Sequence, residues 1–329
     1  MQQRGAALLV ALLIAALVTI TLTVMLQRQS ALAGIEWQLR ETTQARRVLY
    51  GAEDWALQIL REDARRSVID HLGEPWAIPL QEGRLADFLK ASPQAANASA
   101  TDLDNSRVKD VWLSGRIVDA DRRYNLMRLA VAGSSVMIER ALWLRIAAQA
   151  GLSAELAVAV ADRFAPPASA SVDDGTPRAP VSPPLSLAHL AVQLPALAPW
   201  VASLSDLIIV LPESTTINVN TAAKPVLMAL IRGLNERQVE RFIDLRRKAP
   251  WRDLNAISAA FTDTVITLDS TQAGVASRYF IVTAAVRLVA DATPDAPRPT
   301  EVSLTTVVER FARENITRIV RRDFGAVPY

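Results

Sequence analysis

The chain has no cysteine and only two histidines, His71 and His189. The missing cysteine excludes disulfides, thiolate nucleophiles and every cysteine-ligated zinc or iron–sulfur site. It does not identify a compartment, because disulfide-free proteins occur in all of them. The two histidines sit far apart in unlike contexts and read as ordinary helix or loop residues, so a histidine-based metal or acid–base site has little support. An excess of one charge is also absent. The 36 Lys+Arg are balanced by 34 Asp+Glu, and the net charge of +2 gives no bulk pull toward nucleic acid. No G-x-S-x-G, H-E-x-x-H, P-loop or G-x-G-x-x-G pattern occurs. The acidic pairs Glu53-Asp54, Asp102/Asp104 and Asp119/Asp121 read as surface carboxylates, caps and turns rather than a shared catalytic cleft. The expectation is a non-enzyme without a resident cofactor.

What is present is apolar material. Of the 329 residues, 50% are hydrophobic and 21% charged, enough for ordered cores and, by length, for two or three domains. Residues 6–26 (AALLVALLIAALVTITLTVML) carry no charge and are flanked by Arg4 and Arg28. As a helix, they span roughly 31 Å at about 1.5 Å per residue, the thickness of a bilayer core. No small-x-small cleavage site follows at Gln27-Arg28-Gln29. Apolar residues then recur at steps of three or four at Leu32, Ile35, Leu39, Leu49, Ala52, Ala56 and Ile59, apart from one long gap after Leu39, with Arg40, Glu41, Arg46 and Arg47 between them. No proline occurs before Pro75. The pattern predicts one helix of nearly 60 residues, transmembrane over 6–26 and amphipathic over 27–64.

Residues 111–126 (VWLSGRIVDADRRYNL) predict a short strand interrupted at Gly115 and a turn at Asp119-Ala-Asp121. Residues 134–164 predict two helices broken at Gly151. Residues 165–184 (APPASASVDDGTPRAPVSPP) form a proline-rich linker, and a further helix is expected from about Ser186. In 215–262, Ile217-Asn218-Val219-Asn220 predicts an extended lead-in. Asn220 or Thr221 is expected to cap a helix with Pro225 in its first turn. Gly233 should stop that helix and Asn235 should cap the next, which carries Val239, Phe242 and Leu245. Such short helices joined by tight turns are the pattern of sterile-alpha-motif-like (SAM-like) or helix–hairpin–helix units. Strands are expected at Tyr279–Val289 and Thr300–Arg310, with a third through Ile316–Val320.

The predicted class is α+β: a pilin-like long N-terminal helix packed on an antiparallel sheet, with a large inserted helical domain. The α/β domain is assigned to 65–125 and 270–329. The insertion is assigned to 126–269, with SAM-like subdomains at 126–212 and 213–269.

The leader, residues 1–5, ends in Arg4-Gly5 directly before the uncharged helix and resembles a type III (prepilin-type) signal. The resemblance implies cleavage between Gly5 and Ala6 by a prepilin peptidase and N-methylation of Ala6, with the membrane helix retained. A simple signal anchor is the alternative. Type IV pilins and pseudopilins mostly carry glutamate at the fifth mature position, where it pairs with the amine of the subunit above. Here that position is Val10. A lone carboxylate in a bilayer is costly, and a subunit with nothing above it has no use for one. Val10 therefore favours a tip subunit.

Together with Gly115–Asp119, Tyr124-Asn125-Leu126, Ile217–Ala222 and Ser277–Phe280, this leader resembles the minor pseudopilin K family of type II secretion systems. The resemblance covers essentially the whole chain. It implies an inner-membrane, single-pass protein with a periplasmic C-terminal domain. Such a protein caps the pseudopilus tip with minor pseudopilins I and J and starts pseudopilus assembly. It also implies contacts with other pseudopilins and the inner-membrane secretion platform, and with the secretin or the secreted substrate. Calcium is implied by the resemblance alone. Only Asp173 and Asp174 resemble the family's acidic loop, as weak calcium candidates, and two aspartates cannot supply six to eight oxygens. Asp162-Arg163-Phe164 stands where relatives carry a tryptophan-containing acidic motif, and Met127 stands where they tend to carry asparagine. Leu32, Ile35 and Leu39 are assigned to packing between neighbouring filament helices. The alternatives are a minor pilin of a type IV pilus and a membrane-anchored helix–hairpin–helix protein for DNA binding or uptake. Against the latter, the second glycine of a phosphate-binding hairpin is missing from Gly233-Leu234-Asn235.

Overall fold

The computed structural model describes residues 3–91, 108–130, 135–165, 184–262, 264–290 and 300–325. Helix α1 (Gln3–Arg66) runs unbroken for 64 residues. No helix-breaking proline interrupts it, and Arg65 and Arg66 in its last turn complement the negative end of the helix dipole. Its second half lies on a five-stranded antiparallel sheet of order β1-β2-β7-β8-β9. These strands are β1 (Leu80–Arg84), β2 (Val108–Asp119), β7 (Tyr279–Ala290), β8 (Thr300–Phe311) and β9 (Ile316–Gly325).

Strand alternation sends Phe280, Val282, Ala284, Val286 and Leu288 to the α1 side of β7, where they meet Ala45, Leu49, Ala56, Leu57 and Leu60. Those five helix residues are buried, and full burial of a leucine such as Leu49 or Leu60 is worth about 1.5–3 kcal/mol. Trp76 closes this core, its ring edge-on to Phe280 at 5.3 Å. Charged groups tie the helix to the sheet edge: the buried Glu53 accepts from Thr306 Oγ1 and from Arg322 Nη2 at 2.6 Å.

The chain leaves the sheet after Asp119 and re-enters at Tyr279, on the neighbouring strand, with Asp119 opposite Phe280. Between them lie β3 (Tyr124–Asn125), α3 (Ser135–Gln149), α4 (Ala154–Phe164), α5 (Leu187–Gln193) and α6 (Val201–Leu204). They are followed by β4 (Ile208–Ile209), β5 (Ile217–Asn218), α7 (Lys224–Leu230), α8 (Glu236–Lys248), α9 (Leu254–Ala260) and β6 (Ala273–Gly274). Their apolar side chains form one continuous cluster from Tyr124 to Ala273, with Trp143, Phe164, Phe242 and Phe261 fully enclosed. Short parallel pairs β3–β4 and β5–β6 close the block at its base.

Several local expectations change. Gly115 does not interrupt β2: it pairs with both Leu80 and Ala284, and a β-carbon there would stand 3.1 Å from the Thr283 carbonyl, so the glycine serves close strand approach. Neither Asn220 nor Thr221 caps α7. Ala223, which has no polar side chain, is the N-cap, and the side chains of Asn220 and Thr221 are used elsewhere. Pro225 does sit in the first turn. Asn235 caps α8 in a full capping box with Gln238. Strand β9 extends well past Val320. Strand β1 and helix α2 (Leu85–Ala91) were not expected: LQEGR is a short polar run with no alternation to read.

Candidate functional site: an exposed helix and the polar joint behind it

Among the described residues, the first half of α1 turns its apolar side chains outward. From Leu12 to Leu26 the large ones are exposed, Leu13 at 71% and Leu17 at 64%. Among the described residues, Leu12–Gln29 is the one stretch of helix long and apolar enough to cross a membrane. Its polar side chains are dealt with internally, as lipid requires. The hydroxyls of Thr19, Thr21 and Thr23 donate to the carbonyls of Ala15, Leu17 and Thr19 at 2.7–2.8 Å. Gly5, Ala6, Val10, Leu32 and Ile35 lie on α1, and their side chains are outside the described ones. Leu39 is 66% exposed, although it lies just before the turns that bury Ala45 and Leu49.

The segments singled out in the sequence converge at the junction of sheet and helices. Asp119, at the end of β2, is fully buried. Its Oδ2 accepts from Asn218 Nδ2 (3.0 Å), Ser277 Oγ (2.7 Å) and Thr221 Oγ1, and its Oδ1 accepts from the Asp121 amide (2.8 Å). Asn218 also donates to the Asp70 carbonyl (3.0 Å) and to Ser277 Oγ (2.8 Å). Asp121 Oδ2 accepts the amides of Arg278 and Tyr279 at 2.6 and 3.1 Å, which fixes where β7 begins. Asn125 Oδ1 accepts the amides of Met127 and Leu211 at 3.1 and 3.2 Å. Asn220 makes a reciprocal pair with the Trp251 backbone at 2.8 and 2.9 Å. Asp119, Asp121, Asn218, Thr221 and Ser277 therefore hold the helical block on the sheet, while Asn125 and Asn220 fasten segments of the block to one another, each satisfying a buried polar partner.

A second layer lies beneath. Arg310 on β8 bonds Asp63 Oδ2 at 2.8 Å and Asp70 Oδ2 at 2.6 Å, and its guanidinium rests 4.5 Å from the centre of the Phe280 ring. Asp70 in turn accepts the Ser277 amide at 2.7 Å. Inside the helical block, Arg128 pairs with Glu139 at 2.5 Å and donates to the carbonyls of Thr215 and Thr271.

Burial raises the carboxyl groups of the joint. It pushes Asp70 up to about 7 against the pull of Arg310. Burial, with the neighbouring Asp119 second, pushes Asp121 up to about 7. Asp119 is also raised by burial, against four hydrogen bonds that favour its charged form. Glu53, Asp119 and Asp121 were expected on the surface and are not; each is about 1% exposed and serves as a fastening between elements. Asp102 and Asp104 lie outside the described residues, as do Asp173 and Asp174 and the linker over 166–183. Among the described residues, Asp63, Asp70 and Glu74 are the one group of metal-ligating side chains close enough to share an ion. Arg310 already stands on two of them as their counter-charge.

Residues absent from the sequence reading are Asp63, Asp70 and Arg310. Only the burial of Asp119 would have pointed to them, and their partners lie up to 247 positions away. The hairpin at Gly233 also has a structural account. Its φ is +99°, and a β-carbon would fall 2.2 Å from the Val265 carbonyl, so the backbone of 265–267 covers the turn that a phosphate would need. His71 Nδ1 and His189 Nδ1 each accept a local amide, from Gly73 and Leu185.

The family model described as type II secretion system (T2SS), protein K matches residues 217–276, the segment that carries Asn218, Asn220 and Thr221. The type II secretion system protein K of Pseudomonas aeruginosa is 27% identical over 317 residues, 87% of this chain and 85% of that protein. A solved structure of the GspK–GspI–GspJ complex from the enterotoxigenic Escherichia coli type 2 secretion system shares the fold. It has a TM-score of 0.60 and 18% identity, over 88% of this chain and 98% of that one. Over most of its length, then, the chain is similar in sequence to a type II secretion system protein K and shares the fold of the solved GspK–GspI–GspJ complex.

Proposed function

We propose that the chain works as a minor pseudopilin that caps a type II pseudopilus together with the I and J pseudopilins. The observation that carries this reading is α1: one unbroken helix whose apolar side chains from Leu12 to Leu26 are exposed and whose turns from Ala45 to Leu60 are built into the sheet. Such a helix anchors a domain to a bilayer and later packs against like helices when the subunit leaves it. In this reading prepilin peptidase cuts between Gly5 and Ala6, Ala6 is N-methylated, and Val10 suits a subunit with none above it. Leu32, Ile35 and Leu39 pack against neighbouring pseudopilins. The anchor crosses the inner membrane once, and the remaining domains lie in the periplasm, where the assembled tip meets the secretin or the secreted substrate. Residues 126–269 serve as a helical head of two SAM-like subdomains, divided near 212, mounted on a pilin-like domain of 65–125 and 270–329. The role is architectural, and the buried carboxylates support it because each is used to hold elements together.

The reading is tested by co-expressing the full chain with the I and J pseudopilins of the same secretion system and isolating the complex in detergent. A three-component complex is expected. Recovery of this chain alone, with I and J pairing without it, would contradict the assignment.

A further inference from the structure

We infer that the arginines bordering the polar joint form a docking surface for a carboxylate-rich segment of a partner protein. The turn after β2 carries Arg122 and Arg123, both half-buried. Among the described residues neither side chain makes an ion pair or a hydrogen bond, and the Nε of each is buried without a partner. Their place is fixed by the joint: Asp121, immediately before them, accepts the Asn218 amide through its carbonyl at 2.9 Å. Across that contact stands Arg246 of α8, which is held by the carbonyls of Val219 (2.5 Å) and Ala222 (2.8 Å) rather than by a carboxylate. Arg122 and Arg246 repel each other, and Arg247 and Arg116 add to the same positive field. Of the nearby acids, Asp206 and the buried Asp119 act on Arg123 only through space, and Asp244 is taken by Arg247.

Half-buried guanidinium groups without a hydrogen-bonded carboxylate are costly to maintain, and a bidentate carboxylate is the ligand that relieves them best. The elements present select among anions. Arg246 and Arg247 lie in the last turn of α8, whose carbonyl dipoles disfavour any anion there and a compact, multiply charged phosphate more than a single carboxylate. Separate carboxylates spaced along a peptide reach the forks of Arg122 and Arg123, which stand on the turn after β2 rather than on that helix end. With a net charge of only +2, the chain offers nucleic acid no wider basic track to follow. This inference rests on the joint alone and does not depend on the pseudopilin reading.

The test is fluorescence anisotropy of a labelled oligoglutamate peptide titrated with the full chain in neutral detergent. Saturable binding that weakens with salt is expected, with a loss of roughly ten-fold or more in Arg122→Ala/Arg123→Ala. Arg247→Glu, on the exposed surface of α8, reverses one charge of the patch without touching the joint. It is expected to weaken the peptide too, so the proposal stays testable if the double variant misfolds. Absence of saturable binding, or binding unaltered in Arg247→Glu and in a folded double variant, would overturn the proposal. So would displacement of the peptide by inorganic phosphate at equal concentration, or preferential binding of a DNA oligonucleotide through the same arginines.

Discussion

On one side of β7, α1 is held by Leu49, Leu60, Val282, Val286 and Leu304, packed apolar side chain to apolar side chain. At the end of the same strand, the helical block is held by Asp119, Asp121, Asn218 and Ser277 through buried hydrogen bonds, and beneath them Arg310 ties the end of α1 and Asp70 to the sheet through buried ion pairs. The apolar face is additive and tolerant, since a lost methylene costs its transfer energy and a small cavity. The polar joint is conditional: each member is neutral or better when its partners are present and costly when one is removed. An apolar seam lets a helix seat at many angles, whereas directional bonds fix the one angle at which a large helical block projects from the sheet.

That contrast can be broken experimentally, and the largest effect is expected at Arg310. Replacing it with methionine strands Asp63 and Asp70 as uncompensated buried carboxylates. At pH 8, about 3–5 kcal/mol of stability should be lost in denaturant unfolding in detergent. On the apolar side, Leu60→Ala should cost about 3 kcal/mol, and Leu60→Met much less, because volume rather than direction matters there. Asn218→Ala should cost about 2 kcal/mol by leaving Asp119 and the Asp70 carbonyl short of a donor, and the loss should not be recovered by an isosteric leucine.

The joint should also be the pH-sensitive half. The folded values of Asp70 and Asp121 are raised to about 7, above their unfolded range. The fold therefore binds protons more tightly than the unfolded chain, and its stability falls as pH rises through about 7. Between pH 6 and pH 8 each group should remove about 1 kcal/mol, and Asp121→Asn should flatten part of that slope in thermal melts. The smallest effect on stability belongs to the exposed Leu39. Leu39→Asp should change unfolding by less than about 0.5 kcal/mol yet reduce assembly with other pseudopilins. Loss of stability of the size seen at Leu60 would show that Leu39 belongs to the core after all.

The two regions were also unequally legible in the sequence. Helix α1 could be read because its cause is local: an uncharged run, then apolar residues at three- and four-residue steps, with no proline until Pro75. Strand β7 showed as a run of β-branched and apolar residues and β8 as visible alternation, and Asn235 announced α8 as its cap. The joint could not be read in this way. Asp119 looks like a turn residue because its partners are 99 and 158 positions away, and burial reverses the meaning of an aspartate without altering its neighbours in the chain. Thr221 and Asn220 misled for the same reason. As cap formers they suit a helix start, but long-range partners took their side chains first.

If α1 is retained from Ala6 onward as a filament helix, the intact mass of the N-terminus, with and without prepilin peptidase, tests it most directly. The account predicts loss of residues 1–5 and a single methyl group on Ala6 when the peptidase is present. An N-terminus that keeps Met1–Gly5 under those conditions would contradict it and leave α1 as a simple signal anchor.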